Sequence, residues 1–294
     1  MELSAGIDWI SVTFPALFPG RWRSCIHPAD TETKRQIKPR NGYSQATVYA
    51  SGATQSTNDS RPDMGIHIVY SARAIGNMET MYGVDQKQLL QHLTNGSKMT
   101  RLDVRIDVFD SGLDIEKLYQ MARSGQVETK ARTIGFTESA TTGSERGAAT
   151  CYIGSQKKRK KLLRVYDKGS QLGLLVDLKR FELELHSGAT PEAVKRLKTA
   201  NLGDWGEHIG GLIKGYCYWP DDNAVADIFA DMSKIKIAVP EEDTGNTIKW
   251  LLNVVAPVLA REAAMDSSLI VEFMHRVMEE LDARDAIDNR GAGQ

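Results

Sequence analysis

The sequence contains few cysteines and no uninterrupted apolar run long enough to cross a membrane. Its three cysteines, Cys25, Cys151 and Cys217, are far apart and unpaired in spacing, which excludes a disulfide framework and a cysteine zinc site. The opening segment carries Glu2 and Asp8, where a signal peptide has a basic start followed by an apolar stretch. We therefore expect a cytoplasmic protein without a membrane segment.

Several enzyme motifs are also missing. The chain has no His-x-His pair, the metal motif of many nicking enzymes, and His186 without a spaced partner is more typical of a hydrogen-bonded residue than of a metal ligand. Neither the Walker nor the dinucleotide glycine spacing occurs, and Gly154-Ser155 has too few glycines for a phosphate loop. ATP hydrolysis is therefore not expected.

Charge is unevenly distributed although the formal net charge is only -1. A dense basic run is formed by Lys157, Lys158, Arg159, Lys160 and Lys161. Such a run is either the solvated tip of a hairpin or a contact for DNA phosphates, which would be independent of sequence and sensitive to salt. From Glu241 onward acidic residues outnumber basic ones, which favours a protein partner over nucleic acid there.

Hydrophobic periodicity predicts an α+β fold, with an antiparallel or mixed central sheet and flanking helices. Predicted strands are 7–14, 66–70, 99–109, 150–153, 162–166 and 180–186, and predicted helices are 84–93 and 115–123. We assign residues 1–235 to a catalytic domain. A helical C-terminal region, 241–288, follows, with apolar-periodic segments at 247–264 and 268–281.

Two of the predicted strands have one charged face. The alternating residues on these faces are Arg101, Asp103, Arg105 and Asp107 on one strand, and Arg180, Glu182, Glu184 and His186 on the other. If the strands are neighbours, the facing carboxylates require positive charge between them. The interleaved arginines could supply it as a salt-bridge lattice, or a hard divalent cation, Mg²⁺ or Mn²⁺, could be bound by carboxylate oxygens.

A tyrosine lies between two cations just beyond the basic run, in the order Arg164, Tyr166, Lys168. With an ordinary pKa of about 10, only about one tyrosine in a thousand is ionised at neutral pH, so a nucleophilic role needs nearby cations. Arg164 and Lys168 could provide them. Alternatively, Tyr166 is a half-buried strand residue with its hydroxyl hydrogen-bonded.

Five motifs together resemble the trans-acting replication initiator family. They are Gly6–Phe14, Arg101–Asp107, Thr150–Ser155, Arg164–Gly169 and Arg180–His186. The family includes initiators of rolling-circle plasmids and filamentous phages, and relaxases of some integrative elements. The resemblance implies a nicking-endonuclease-like fold, with Tyr166 as the nucleophile and Lys168 or Arg164 assisting it. It also implies Asp103, Glu182 and Glu184 as metal ligands, with Asp107 as an alternative.

The activity implied by this resemblance is nicking of one origin strand by transesterification, which leaves a 5′-phosphotyrosine and a free 3′-hydroxyl. Alternatives are a conjugative relaxase with the same chemistry, a hydrolytic metal-dependent nuclease in which Tyr166 is structural, and a non-catalytic DNA-binding regulator. Expected partners are origin DNA, single-stranded or extruded as a hairpin, a helicase, and a second copy of the chain. The acidic C-terminal helices are the predicted site of dimerisation or helicase recruitment.

Overall fold

The computed structural model describes residues 2–15, 25–30, 33–39, 41–139, 148–157 and 160–237, together with Val271 and His275. The chain divides into two units, Met1–Val239 and Pro240–Gln294. In the second unit, only the two helical residues Val271 and His275 are described. The helices expected at 247–264 and 268–281, and the basic residues Lys158 and Arg159, otherwise lie outside the described residues.

The first unit is built on strands and a smaller number of helices. The described strands are β1 (Glu2–Phe14), β2 (Thr33–Ile37), β3 (Gln45–Tyr49), β4 (Thr54–Thr57), β5 (Ile66–Ser71), β6 (Lys98–Phe109), β7 (Glu128–Thr129), β8 (Ile134–Ser139), β9 (Ala148–Ile153), β10 (Lys161–Asp167), β11 (Leu178–His186) and β12 (Cys217–Tyr218). The described helices are α1 (Ala72–Tyr82), α2 (Gln86–Leu93), α3 (Ile115–Arg123), α4 (Lys168–Leu172), α5 (Thr190–Thr199), α6 (Trp205–Tyr216) and α7 (Asn223–Ile228). This confirms the α+β class.

Ten strands form one sheet in the order β2-β3-β4-β5-β1-β6-β11-β10-β9-β8, and each adjacent pair is antiparallel. A separate two-stranded ribbon pairs β12 with β7. The central strands β6, β11 and β10 are the ones that carry the charged residues. Long-range pairing between β1 and β6 and between β6 and β11 therefore places residues from three distant segments side by side.

One face of the central strands is apolar and forms the core with the helices. Leu102, Val104, Phe181, Leu183 and Val165 are fully buried there. Helices α3 and α6 contact these strands. Because side chains alternate along a strand, the same register directs the charged residues to the opposite face.

Helix starts follow local capping chemistry. Asp85 caps α2 in a reciprocal capping box with Gln88, and Asp114 and Asp222 accept backbone N–H groups at the starts of α3 and α7. Asp167 caps α4 by accepting the Ser170 amide. The chain therefore turns sharply into a helix directly after Tyr166.

Within the described residues, no helix is both long enough and apolar enough to span a bilayer.

Replacement of Phe181 by alanine should lower the free energy of unfolding by about 3–5 kcal/mol, the usual cost of removing a buried aromatic ring. The ring is fully buried and meets Trp219 and Phe229 edge to face, with centroids 6.5 Å and 5.4 Å away. Urea unfolding followed by circular dichroism measures the change. Leu175→Ala is the control, because Leu175 is fully exposed and should change stability by less than ~0.5 kcal/mol. Equal effects of the two substitutions would contradict this core assignment.

Candidate active site

The charged face is created by the register of three neighbouring strands. Across β6 and β11 the opposed pairs are Asp107 with Arg180, Arg105 with Glu182, Asp103 with Glu184, and Arg101 with His186. Across β11 and β10 they are Glu182 with Arg164 and Arg180 with Tyr166. The structure thus brings together the residues of both predicted charged strands and the tyrosine. Most opposed pairs are of opposite charge or neutral, and one pair, Asp103 with Glu184, is of like charge.

Asp8 joins this face through a bulge in β1. The register passes from Ile7 opposite Val104 to Trp9 opposite Asp103, leaving Asp8 as the extra residue. In a regular strand Asp8 would share a face with the core residue Ile10. The bulge instead directs its carboxylate toward the arginines of the charged face, and sequence alternation alone does not reveal this.

Around Asp107, the charged face is an ion-pair network. Arg180 donates from Nε and Nη2 to the two carboxylate oxygens of Asp107, at 2.6 Å and 2.9 Å. Its Nη1 donates to Asp8 at 2.6 Å, and Arg105 pairs with both Asp107 and Asp8. The Asp107 carboxylate therefore contacts two guanidinium groups. This part of the face is a salt-bridge lattice, one of the two alternatives that the sequence left open.

Asp103 and Glu184 form a different arrangement. Both are 1% exposed, and their carboxylates are bridged by one nitrogen of Arg101, at 2.5 Å and 2.9 Å. The Arg101 guanidinium lies over the Trp9 ring, 4.8 Å from its centroid, and His186 pairs with the other oxygen of Glu184. Burial, followed by the charges of Glu184 and Glu182, raises the pKa of Asp103. Arg101 opposes this rise, and Arg164 lies 3.9 Å from Asp103, so burial is the first cause of the raised pKa and the like charge of Glu184 adds to it.

Tyr166 is buried, and its hydroxyl has a carboxylate partner. The hydroxyl donates to Glu182 Oε2 at 2.8 Å, while Arg164 pairs with the other oxygen of Glu182. Burial and the Glu182 charge raise the pKa of Tyr166. The phenol is therefore protonated in this state, with a proton acceptor already in contact.

The two predicted cations beside Tyr166 are placed differently from each other. Arg164 is on β10, on the same face as Tyr166, and among the described residues its buried Nε has no hydrogen-bond partner. Lys168 does not continue the strand as expected, because Asp167 caps α4 and Lys168 is the first helical residue. Its Nζ still lies 5.8 Å from the centroid of the Tyr166 ring. Burial, and then the charge of Arg180, lower the pKa of Lys168.

The described residues of the basic run are not adjacent to Tyr166. Lys157 and Lys160 lie on the turn between β9 and β10, and Lys161 begins β10, five residues before Tyr166. At about 3.4 Å per residue the two ends of that strand segment are about 17 Å apart. Lys161 alternates onto the opposite face from Tyr166, where its Nζ donates to the Ile237 carbonyl at 3.1 Å.

The metal prediction can be compared with these contacts. Within the described part of the chain, no group of three or more histidine, cysteine or acidic side chains is gathered to hold a metal ion as it stands. Glu182 and Asp107 are held by Arg164 and Arg180, and Asp103 and Glu184 are held together by Arg101, with His186 beside Glu184. Asp103, Glu184 and His186 therefore offer carboxylate and imidazole donors at the like-charged pair of the face. This donor set fits the chemistry of a hard divalent cation, provided that Arg101 gives way.

Comparisons with known proteins cover most of the chain. Residues 97–278, more than half of the sequence, match the replication initiation factor family, Rep_trans. Comparison with curated protein sequences gives no match. Among solved structures, the fold is similar to a rolling-circle replication initiator protein from Geobacillus stearothermophilus, with a TM-score of 0.65 and 20% identity, covering 82% of this chain and 100% of that one. The chain belongs to the replication initiation factor family.

Proposed function

We propose that this protein initiates rolling-circle replication by nicking one strand of origin DNA, with Tyr166 as the nucleophile. The observation that carries the proposal is the contact of the Tyr166 hydroxyl with Glu182 Oε2 at 2.8 Å, on a buried face crowded with arginines. A phenol hydrogen-bonded to a carboxylate has an acceptor for its proton as it attacks. Membership of the replication initiation factor family supports the biological role.

In the proposed reaction the Tyr166 oxygen attacks phosphorus and the bond from phosphorus to the 3′-oxygen breaks. Glu182 takes the phenol proton, and the departing 3′-oxygen takes a proton from solvent. The products are a 5′-phosphotyrosine and a free 3′-hydroxyl, so the phosphodiester is exchanged and not hydrolysed. Attack by a 3′-hydroxyl on the phosphotyrosine reverses the step and rejoins the strand.

Developing negative charge on the phosphate requires cations that are already in place. Arg164 is suited to this because its Nε lacks a partner among the described residues while its other nitrogen is held by Glu182. Lys168, above the Tyr166 ring, can stabilise the phenolate as the proton leaves. Arg164 thus binds a phosphate oxygen, and Lys168 contributes charge to the nucleophile.

A divalent cation, Mg²⁺ or Mn²⁺, is part of the proposal. Asp103 and Glu184 are the carboxylates that would hold it, with His186 beside them. Glu182 instead accepts the Tyr166 hydroxyl, and Asp107 accepts hydrogen bonds from Arg180. When bound, such an ion polarises the scissile phosphate and neutralises charge on it. Its positive charge would also relieve the repulsion between Asp103 and Glu184.

Mn²⁺ should raise the melting temperature of the wild-type protein and should not raise that of Asp103→Asn. At a metal concentration 100 times Kd, a site present only in the folded state adds about 2.7 kcal/mol to stability. Asp103→Asn weakens the two Arg101 contacts and also removes the like charge opposite Glu184, so the Mn²⁺ increment of each protein is measured from its own metal-free melting temperature. Differential scanning fluorimetry across a Mn²⁺ titration measures both quantities.

Asp107→Asn is the control for this titration, because Asp107 is the alternative ligand. Asp107→Asn should lower the melting temperature measured without metal, because it breaks the Arg180 contact. The rise in melting temperature on adding Mn²⁺ should be the same as in wild type. An increment lost in Asp107→Asn and retained in Asp103→Asn would assign the metal to the other carboxylate. If Mn²⁺ raised the melting temperature of both variants as much as that of wild type, the metal site would not lie on this face.

DNA must reach Tyr166 as a single strand or extruded hairpin, since the tyrosine is buried and duplex phosphates cannot approach it closely. The predicted DNA contacts Lys157, Lys158, Arg159, Lys160 and Lys161 would hold DNA beyond the nick. A conjugative relaxase would use the same chemistry on a transfer origin. A helicase partner and a homodimer are proposed to use the acidic C-terminal region 241–288.

The test is incubation of the full chain with supercoiled plasmid carrying the element's own origin, in Mg²⁺ or Mn²⁺. Denaturing gels should show one nicked strand and DNA that remains linked to protein until protease treatment. A control plasmid with the origin scrambled should stay supercoiled. Absence of cleavage under both metals, with DNA binding retained, would favour a non-catalytic regulator.

A further inference from the structure

A basic cleft of about 600 Å³ lies away from the charged face. Its walls are the loop that follows β7, the turn between β9 and β10, the end of α6 and the segment 234–237. Lys160 and Lys161 come from the run noted in the sequence, and Lys130, Arg132 and Lys214 from elsewhere. Tertiary folding therefore enlarges the basic surface beyond the five residues of that run.

The charge balance of this cleft differs from that of the charged face. Lys234 and Lys236 add two more cations, and among the described residues that line the cleft Glu128 is the one carboxylate. Glu128 pairs with Lys234. Burial, and then the charge of Lys130, lower the pKa of Lys161, so these cations are close enough to repel each other. A cluster of seven cations and one carboxylate favours binding of a polyanion.

Cations of the cleft lie against two aromatic rings, Tyr216 in the cleft wall and Tyr218 beside the lining residues Lys214 and Lys234. Lys161 lies 5.5 Å from the centroid of Tyr216, and Lys214 and Lys234 lie 5.0 Å and 5.1 Å from that of Tyr218. The Tyr216 hydroxyl contacts the carbonyls of Ile153 and Lys161. Single-strand binding uses rings that stack on bases, and here lysine ammonium groups already lie against the rings. The cleft is therefore suited to backbone phosphates more than to unpaired bases.

Its location relative to Tyr166 is also informative. Lys161 is about 17 Å from Tyr166 along β10, the length of about five base pairs at 3.4 Å each. Lys157 and Lys160 lie on the turn between β9 and β10, at the end of β10 that begins with Lys161. DNA that leaves the Tyr166 site over this turn would pass Lys157 and Lys160 on its way to the cleft.

We propose that this cleft is a second DNA site, which binds the phosphate backbone of the duplex flanking the nick while the separated strand occupies the charged face. The proposal rests on the proposed function only in the choice of DNA as the polyanion. Binding there is independent of base sequence, because lysine and arginine contacts to phosphates carry no sequence information. The cleft therefore supplies affinity and orientation, and base recognition lies elsewhere.

The test uses the full chain in EDTA, without nicking, and a random-sequence duplex of 24 base pairs. The variant combines Lys130→Ala, Arg132→Ala and Lys236→Ala, three exposed residues whose loss should leave the melting temperature unchanged. Each lost phosphate contact lowers the slope of log affinity against log salt by about 0.9, so a decrease of about 2–3 is expected. The affinity at 0.1 M salt should fall by at least ~10-fold.

A matched control combines Arg73→Ala, Arg123→Ala and Lys195→Ala, which removes the same charge from exposed positions outside the cleft. It should change duplex affinity by less than ~2-fold, and both triple variants should cleave a short single-stranded origin oligonucleotide at the wild-type rate. Equal losses in the two triple variants, or an unchanged salt slope in the cleft variant, would overturn the assignment. An equal loss of affinity for a single strand of the same length would overturn the preference for duplex.

These readouts separate the two proposals. Loss of duplex affinity in the cleft variant supports the second site even if no plasmid is nicked, because binding is measured without catalysis. Nicking by the wild-type protein, together with a salt slope of the cleft variant equal to that of wild type, would support the tyrosine mechanism and contradict the second site.

Discussion

The Tyr166→Phe protein should bind origin DNA as tightly as wild type does and should form neither nicked circles nor protein-linked DNA. Phenylalanine keeps the buried ring between Arg164 and Lys168 and removes only the oxygen that would bond to phosphorus. Loss of a covalent nucleophile should lower the nicking rate by on the order of 10³-fold or more. Single-turnover cleavage of a labelled origin strand on denaturing gels gives the rate.

Tyr152→Phe is the matched control for this substitution. Tyr152 lies on the neighbouring strand β9, directly opposite Arg164, and is partly buried. It should nick within ~3-fold of wild type, because its hydroxyl is not the proposed nucleophile. Nicking that persists in Tyr166→Phe without protein-linked DNA would instead indicate a hydrolytic nuclease in which the carboxylates activate water.

The second large effect is expected for Glu182→Gln. Glutamine fills the same space but cannot take the Tyr166 proton, so the rate of adduct formation should fall by about 10²- to 10⁴-fold at neutral pH. DNA affinity should be unchanged. The deficit should narrow as pH rises, because more of the phenol ionises without a base, and single-turnover rates across the pH range show this.

Glu192→Gln on α5 is the control, since Glu192 pairs only with Arg196 among its recorded ion pairs and lies outside the charged face. It should leave the rate and the pH profile unchanged. If Glu182 were a metal ligand and not a base, Glu182→Gln would raise the metal concentration needed for half-maximal rate. If excess Mn²⁺, and not higher pH, restored the rate of Glu182→Gln, the role of Glu182 as the base would be contradicted.

Local patterns predicted much of the fold. Helix α3 matches the predicted range 115–123, and β6 and β11 extend the predicted strands by no more than two residues. Strong alternation or periodicity in those segments reports directly on burial. Helix α1 was not predicted, because it follows β5 directly and contains Gly76, and it forms by burying Ala74, Ile75 and Met78.

Polar strands were also missed. Segments β2, β3 and β4 are short and polar, so alternation does not predict them, and they are joined by turns with positive φ angles at Asn41, Gly42 and Gly52. Strand β8 was missed because it lies in a glycine- and threonine-rich stretch. These strands are stabilised by pairing with neighbours that are distant in sequence, which a local pattern cannot show.

Sequence alternation also predicted the composition of the charged face, but not its contacts. Asp103, Glu182, Glu184 and Tyr166 were named in advance, while their division into a tyrosine partner and a like-charged pair depends on strand register. Asp8 was missed because a bulge reverses its face. A groove beside Tyr166 lined by the basic run was expected, and Lys161 lies instead on the opposite face of β10, where its Nζ donates to the Ile237 carbonyl.

The most direct measurement is to trap the reaction with a single-stranded origin oligonucleotide, digest the protein with protease and identify the linked peptide by mass spectrometry. The expected result is one peptide, containing Tyr166, that carries the 5′-phosphate side of the cleaved strand. A link at any other tyrosine, or cleavage that leaves a free 5′-phosphate and no linked peptide, would contradict nucleophilic attack by Tyr166.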